Sequence, residues 1–182
     1  VLDMELVGRE KEAKELNRLY NSNKPELVAI YGRRRVGKTY LIDTYFADKI
    51  TFTHTGMSPD ELEKIDARKL NSQLDAFYGS LLSHGMQAKR KPKTWIEAFT
   101  LLIEFLESKK NGQRRIVFID ELPWLDTPRS NFIPSFGWFW NNYGCKQQDL
   151  MVIVCGSATS WIMNHLINAH GGLYGRLTYS IR

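Results

Sequence analysis

The sequence predicts a three-layer α/β/α domain built on a mostly parallel β-sheet. Short, uninterrupted apolar runs at 26–31, 115–119 and 150–155 have the composition of strands that are buried on both faces. Amphipathic segments with helix-start signals lie between them, and this alternation is typical of a parallel sheet covered by helices on both sides. Polar, glycine-containing or acidic residues follow each of these strands, where ligands bind in sheets of this type.

The remaining elements are predicted in order along the chain. After the first strand we expect a helix over 38–46 and a β-branched, alternating strand over 50–55. A capping box with proline at the first helical position starts a helix at Ser58, and its apolar stripe ends near Gly85. Further along we expect a helix over 94–110, the strand 115–119, an aromatic core helix over 132–143, the strand 150–155, a helical stretch through Trp161 and His165, and a last strand near residue 181.

Length and composition indicate one globular domain. The chain has 182 residues and a formal net charge of +5, which is compatible with a polyanionic partner such as a nucleotide or nucleic acid. Cys145 and Cys155 form no C-x-x-C pair and the histidines show no ligand spacing, so we expect inert thiols and structural histidines. We find no signal peptide and no apolar run near the ~18 residues of a membrane span, and we therefore expect a cytoplasmic protein.

Residues 32–39, Gly-Arg-Arg-Arg-Val-Gly-Lys-Thr, fit the pattern G-x-x-x-x-G-K-[ST] at every fixed position, between a predicted strand and a predicted helix. Backbone N–H groups converge on an anion only where side chains do not crowd it, which explains the two glycines. The N-terminus of the following helix adds partial positive charge. The pattern predicts a phosphate-binding loop in which Lys38 reaches the β- and γ-phosphates and Thr39 binds Mg²⁺.

The arginines of this loop occupy its variable positions, where side chains mostly point outward. Their favoured role is to add positive potential that steers a nucleotide in, and direct contact with phosphate or nucleic acid is the alternative. The residues expected to contact nucleotide here are Gly32, Arg33, Arg34, Arg35, Val36, Gly37, Lys38, Thr39 and Tyr40.

Asp120 and Glu121 follow the apolar run 115–119, at the predicted end of a strand. Mg²⁺ prefers oxygen ligands, including one or two carboxylates. We predict that Asp120 holds the metal through water and that Glu121 orients and polarises the attacking water; a surface acidic pair that caps the strand is the alternative. A strand separates this pair from the loop in sequence, which resembles ATPases with an additional strand and a catalytic glutamate. Since no Asn-Lys-x-Asp guanine motif is present, ATP is the expected nucleotide.

Five ordered motifs carry a family resemblance: V-G-R-E at 7–10, Y-G-R-R-R-V-G-K-T at 31–39, F-I-D-E-L-P-W-L at 118–125, C-G-S-A-T-S-W at 155–161 and L-Y-G-R-L-T at 173–178. Together they resemble the AAA+ type ATPases of the archaeal ATPase family, relatives of the signalling NTPases with numerous domains. The resemblance spans about residues 6–181. It implies a P-loop NTPase fold with the AAA+-like strand order 5-1-4-3-2, and ATP and Mg²⁺ as cofactors.

The resemblance also implies roles for residues outside the two main motifs. Val7, Gly8 and Arg9 match the N-terminal box that packs beside adenine. Ser157 stands where the family has its sensor-1 polar residue, with a simple helix cap as the alternative. Arg176 is similar in order and setting to the arginine that reaches into a neighbouring subunit's site and stabilises transition-state charge, with a structural salt bridge as the alternative.

Proteins of this family continue into a helical lid and a winged-helix segment. We therefore expect residues 1–182 to be an AAA+-type ATP-binding domain from a longer protein, with catalysis by Lys38, Glu121, Ser157 and Arg176 and metal ligation by Thr39 and Asp120. The expected function is Mg²⁺-dependent ATP hydrolysis that switches C-terminal domains. Expected partners are ATP or ADP, DNA through those domains, and further copies of the chain.

Two alternatives stay open at this point. In the first, the domain is a nucleic-acid-binding module with ATP as a structural ligand, and the basic residues 89–93 and 33–35 contact phosphates. In the second, the aromatic residues of 132–143 form an interaction platform.

Overall fold

The computed structural model describes residues 10–32, 37–65, 69–168, 173, 175–177 and 179–181. Its described strands form one sheet in the spatial order β5-β1-β4-β3-β2, and every neighbouring pair is parallel. The fold class is therefore confirmed, and the strand order is the one predicted. The strands are β1 (Glu26–Tyr31), β2 (Ile50–Thr55), β3 (Arg115–Asp120), β4 (Leu150–Gly156) and β5 (Tyr179–Ile181).

Helices connect the strands and account for most of the remaining described chain. A π-helical turn, Met163–Ile167, continues the last helix, and short 3-10 turns lie at Ala47–Lys49, Leu122–Leu125 and Gly144–Lys146. The α-helices are α1 (Glu10–Tyr20), α2 (Lys38–Phe46), α3 (Pro59–Lys64), α4 (Lys69–Ser83), α5 (Trp95–Ser108), α6 (Phe132–Asn142) and α7 (Thr159–Ile162).

One predicted helix is wrong in its extent. The apolar stripe after Ser58 predicted a single helix to about Gly85, but the described residues form α3, which ends at Lys64, and α4, which begins at Lys69. The capping box at Ser58 is present, with its hydroxyl accepting from the Glu61 N–H and its own N–H donating to the Glu61 carboxylate. Ile65, which the stripe would bury, is 51% exposed. The stripe was therefore not continuous on one buried face.

Helices cover both faces of the sheet, as a three-layer architecture requires. The aromatic residues of α6 are buried in the larger core, except for Trp138, which is partly buried against it, so the interpretation of this segment as a core helix agrees with the structure. The core on the α1 and α2 face contains Leu16, Leu19, Val28, Ile30, Leu41, Ile42, Phe46, Ile116, Phe118, Met151, Ile153 and Cys155. Aromatic members of the core on the other face include Phe52, Phe77, Trp95, Phe99, Phe132, Phe136 and Phe139.

Within the described ranges, no helix combines the length and the apolar character needed to cross a membrane.

Candidate active site

The site is built where three parallel strands end side by side. Tyr31 at the end of β1 pairs with Gly156 of β4, and Ile119 of β3 pairs with Val154 of the same strand. Strand β4 therefore lies between the glycine-rich loop after β1 and the acidic pair after β3. The three segments with predicted chemistry share one edge of the sheet, which we call the carboxyl edge.

The described ends of the glycine-rich loop have the backbone geometry that their residue types allow. Gly32 has φ 136° and Gly37 has φ 76°, values that L-residues with side chains rarely adopt. Gly37 directly precedes α2 and its carbonyl accepts from the Leu41 N–H at 2.9 Å. Arg33 to Val36 lie outside the described residues.

The Lys38 side chain is buried rather than extended into solvent. It is only 7% exposed, and its Nζ donates to the Gly32 carbonyl oxygen at 2.9 Å. The N-terminus of α2 begins at this residue, so an ammonium group and a helix terminus favour an anion at the same place.

Thr39 brings the loop and the acidic pair into direct contact. Its Oγ1 donates to Asp120 Oδ2 at 2.7 Å, across 81 positions of sequence. The other carboxylate oxygen, Oδ1, accepts from the Glu121 N–H at 2.8 Å. A hydroxyl and a carboxylate, the oxygen donors that Mg²⁺ prefers, are thus adjacent beside the phosphate loop.

Glu121 has an unusual backbone conformation. Its φ of 49° and ψ of 46° place it in the left-handed region, which is uncommon for a residue with a side chain. Its carboxylate faces Ser157 at the end of β4: the Ser157 hydroxyl lies 3.3 and 3.4 Å from the two carboxylate oxygens, and the Ser157 N–H lies 3.5 Å from one of them. These bonds are long and leave the carboxylate weakly held.

Close packing places Ser157 beside the turn that follows Glu121. A Cβ atom on Gly156 would lie 2.7 Å from Pro123 Cδ, so only glycine fits at this point of β4. Farther out, Trp161 Nε1 of α7 donates to Asp126 Oδ2 at 2.9 Å. Sequence reasoning did not assign Trp161 or Asp126 to the site, although both lie in or beside the quoted motifs.

The buried thiol at the carboxyl edge, that of Cys155, is unreactive. Cys155 and Cys145 are both free. Burial, reinforced by the neighbouring Asp120 carboxylate, raises the pKa of the Cys155 thiol. This thiol therefore stays protonated at neutral pH and is a poor nucleophile, as expected from the sequence.

The other predicted site residues are not brought together with this cluster by described contacts. Tyr40 is 40% exposed on α2. Arg176 is exposed in a turn, where its N–H donates to the Leu173 carbonyl at 3.1 Å. Val7, Gly8 and Arg9 lie outside the described residues. Their roles stay predictions.

A parallel sheet in this strand order, with a glycine-lysine loop after β1 and an acidic pair after β3, defines an AAA+-type P-loop ATPase core. Residues 6–182 match the family described as an ATPase domain predominantly from Archaea. The chain belongs to this family, and the family resemblance found in the sequence is confirmed.

Two curated relatives come from Methanocaldococcus jannaschii. The chain is 29% identical to an uncharacterised protein over 176 residues, which are 94% of the chain and 34% of the relative. It is 49% identical to an uncharacterised ATP-binding protein over 43 residues, which are 24% of the chain and 73% of the relative. The chain thus spans about a third of the first relative's length.

Solved structures share the fold. The Walker-type ATPase of Pyrococcus abyssi matches with a TM-score of 0.57 and 22% identity, over 95% of this chain and 52% of that one. Cdc6p from Pyrobaculum aerophilum matches with a TM-score of 0.57 and 18% identity, over 96% and 44%. A chain of Drosophila ORC bound to DNA matches with a TM-score of 0.56 and 10% identity, over 100% and 92%.

Proposed function

We propose that this domain binds ATP together with Mg²⁺ and hydrolyses it, with Glu121 orienting the attacking water. The observation that carries this proposal is the 2.7 Å hydrogen bond between Thr39 Oγ1 and Asp120 Oδ2. It brings the Thr39 hydroxyl of the glycine-rich loop against the Asp120 carboxylate, so that one Mg²⁺ ion could be reached from both, with Glu121 as the next residue.

The donor set fits Mg²⁺. Thr39 and Asp120 would hold the ion, and bound Mg²⁺ would neutralise charge on the β- and γ-phosphates. In the described part of the chain, no group of three or more His, Cys, Asp or Glu side chains could hold a metal ion. A site with two protein ligands, Thr39 and Asp120, suits a cation that takes its other ligands from phosphate oxygens and water.

Three further residues have roles in phosphate binding and hydrolysis: Lys38, Glu121 and Ser157. The Lys38 ammonium donates to the Gly32 carbonyl and can exchange this acceptor for phosphate oxygens. The Glu121 carboxylate accepts a hydrogen bond from water and aligns it for in-line attack on the γ-phosphate. Ser157, whose hydroxyl lies near this carboxylate, is placed to hold it when the γ-phosphate is absent and to contact the phosphate when it is present.

Two variants separate binding from hydrolysis. We expect Lys38→Ala to abolish ATP binding, because it removes the ammonium that faces the phosphates. We expect Glu121→Gln to keep binding and lose turnover, because a neutral amide is a weaker hydrogen-bond acceptor than a carboxylate and cannot take a proton from the attacking water. Retention of radiolabelled ATP measures the first property and phosphate release measures the second.

Matched controls are Lys24→Ala and Glu63→Gln, which change the same charges at exposed positions that are not among the proposed site residues and should alter neither readout. Equal ATP binding by Lys38→Ala and the unaltered protein would refute the assignment of the loop.

We infer further that nucleotide state controls the arrangement of C-terminal domains and the association of neighbouring copies, and that Arg176 reaches the nucleotide of a neighbouring copy. The exposed turn that carries Arg176 and the greater length of the archaeal relatives support this extension. Sedimentation with ADP and with a non-hydrolysable ATP analogue tests it: the larger species should appear with the analogue only, and Arg176→Ala should keep assembly but lower turnover.

Direct nucleic-acid binding through residues 89–93 has less support. Lys89 pairs with Glu104, and the Lys93 N–H donates to Glu97, so part of this segment is engaged within the domain. Arg90 and Lys91 are exposed. Salt-titrated DNA binding tests this alternative, since phosphate contacts by these residues would make the affinity fall steeply with salt.

A further inference from the structure

One buried amide lies behind the acidic pair without being part of the motifs. Gln73 of α4 is 0% exposed, and all of its described hydrogen bonds go to main chain. Its Oε1 accepts from the Met57 N–H at 3.1 Å, and its Nε2 donates to the Met57 carbonyl at 2.9 Å and to the Trp124 carbonyl at 3.0 Å. The amide therefore ties α4 to two separate loops.

These two loops flank Glu121. Met57 belongs to the segment that follows β2, and Trp124 lies three residues after Glu121, in the 3-10 turn Leu122–Leu125. The Trp124 N–H in turn donates to the Glu121 carbonyl at 3.1 Å. Gln73 thus fixes the short turn that directly follows Glu121.

Gly56 makes the contact between the β2 segment and Glu121 direct. Its N–H donates to the Asp120 carbonyl at 3.0 Å. A Cβ atom at this position would lie 2.6 Å from the Glu121 carbonyl oxygen and 3.3 Å from Trp124 Cβ. The main chain at 56–57 therefore packs against the main chain of Glu121 with no room for a methyl group.

Glu121 needs such support because of its backbone conformation. A left-handed residue with a side chain persists only where its surroundings determine the conformation. The Ser157 contacts are too long to supply this, at 3.3 to 3.5 Å. Three sets of described contacts fix the main chain around Glu121: the Asp120 carboxylate on the Glu121 N–H, the Gly56 main chain and, through Met57 and Trp124, the Gln73 amide.

We propose that Gln73 is a positioning residue for hydrolysis: it holds Glu121 in the conformation that aims its carboxylate at the attacking water, acting through Trp124 and through the Gly56–Met57 segment. This inference rests on the proposed function of Glu121. It assigns a role to a residue on α4, a helix that carries none of the nucleotide motifs.

The main test uses two independent variants. Gln73→Leu keeps the approximate volume and removes all of these hydrogen bonds, and Gly56→Ala forces the Glu121 carbonyl to move while leaving Gln73 in place. We expect both to lower kcat by about 10- to 100-fold, because a displacement near 1 Å of a catalytic group costs that much. ATP affinity should stay within about twofold, since the loop and Lys38 are untouched.

Controls match each substitution. Gly79→Ala is also a glycine-to-alanine change and lies within α4. A Cβ atom at this position would meet nothing within 4 Å, so kcat should not change. Tyr143→Phe removes buried hydrogen bonds at the opposite edge of the sheet and controls for general loss of stability. Circular dichroism melts verify that every variant is folded at the assay temperature.

A double-mutant cycle distinguishes positioning from support of the fold. In a Glu121→Gln background, Gln73→Leu should cause little further loss in single-turnover hydrolysis, because the group that it positions is already disabled. An equal loss in both backgrounds, or a fall in ATP affinity that parallels the fall in kcat, would overturn the proposal.

The remaining outcomes are also decisive. If the unaltered protein turns over ATP and neither Gln73→Leu nor Gly56→Ala changes kcat, the role of Gln73 is refuted while the proposed function stands. If the unaltered protein binds ATP without turnover, the proposed hydrolysis fails and this inference fails with it.

Discussion

The two edges of the sheet differ in how firmly their charged side chains are hydrogen-bonded. At the amino edge, where the strands begin, the guanidinium of Arg115 is 1% exposed and every donor is used: it bonds to Asp149 at 2.6 and 2.7 Å, to the Leu106 carbonyl at 2.8 Å, to Tyr143 at 2.9 Å and to Gln147 at 3.3 Å. At the carboxyl edge, Glu121 has a left-handed backbone, and the described hydrogen bonds of its carboxylate to this edge are the long ones from Ser157.

This difference separates stability from chemistry. A buried charge is tolerated only when it is paired and fully hydrogen-bonded, which Arg115 achieves. In the role proposed for Glu121, a carboxylate that binds the attacking water cannot be satisfied in the same way. The carboxyl edge therefore keeps a strained backbone and weakly held groups, and the amino edge has no such requirement.

The pKa shifts follow the same division. Burial raises the pKa of Tyr143 to about 12 at the amino edge. Burial also opposes ionisation of Asp149, but the Arg115 guanidinium outweighs it and lowers the pKa of this carboxyl. Arg115 and Asp149 at the amino edge therefore remain ionised as a pair at neutral pH.

The largest effect should come from breaking the amino edge. Asp149→Ala leaves the Arg115 guanidinium buried without its carboxylate partner, and we expect the free energy of unfolding to fall by about 3 kcal/mol or more. Urea denaturation measures this change. At a temperature where the variant is still folded, ATP binding should be unaltered, because the substitution lies at the opposite end of the strands.

The exposed pair between Arg18 and Glu15 provides the control for that experiment. Arg18→Ala should cause no measurable loss, since exposed ion pairs contribute little to stability. A loss of ATP binding by folded Asp149→Ala would show that the two edges are coupled and would contradict the division described above.

Acid should provide the next largest effect, through a residue of β2. His54 is buried, its Nδ1 lies 2.7 Å from Ser80 Oγ, and its Nε2 has no described partner. Burial, assisted by the nearby His84, lowers the pKa of His54 to about 4. The folded protein must therefore keep this imidazole neutral, whereas the unfolded chain protonates it near its ordinary value.

The sign of the pH dependence follows from that shift. Because the pKa of His54 is lower in the folded state, its contribution to the free energy of unfolding is fully present above about pH 6.5. This contribution is lost as pH falls toward 4, by up to about 3 kcal/mol. Equilibrium unfolding between pH 6.5 and 4.5 measures the slope. His54→Gln should flatten it; an unchanged slope would assign the acid sensitivity to other groups.

Much of the fold and of the candidate site could be predicted because local patterns and tertiary structure agree. The strands at 26–31 and 150–155 were predicted correctly, since uninterrupted apolar runs bounded by polar segments admit few other solutions. That the glycine-rich loop and the acidic pair lie close together was also expected from the pattern, because parallel strands end at a common edge; the direct hydrogen bond between Thr39 and Asp120 was not predicted.

The features that sequence reasoning missed depend on packing rather than on pattern. Helix α1 was not predicted: its segment is mostly polar, and its buried stripe is carried by only Ala13, Leu16 and Leu19. Gln73 carries no local signal either, because a glutamine in an amphipathic helix normally faces solvent. Only the approach of the loops at 57 and 124 makes its burial favourable.

The smallest effect on stability, and the sharpest test of the carboxyl edge, is expected for Thr39→Val. The substitution keeps the shape of an exposed side chain and removes one hydrogen bond to Asp120, so the free energy of unfolding should fall by no more than about 1 kcal/mol. Affinity for ATP in the presence of Mg²⁺ should fall about tenfold, while affinity measured in EDTA should not change, because only the metal-bound complex uses the hydroxyl. Calorimetric titrations with and without the ion measure both values. Equal affinity of Thr39→Val and the unaltered protein in Mg²⁺ would remove Thr39 from the metal site and leave its contact with Asp120 as a purely structural one.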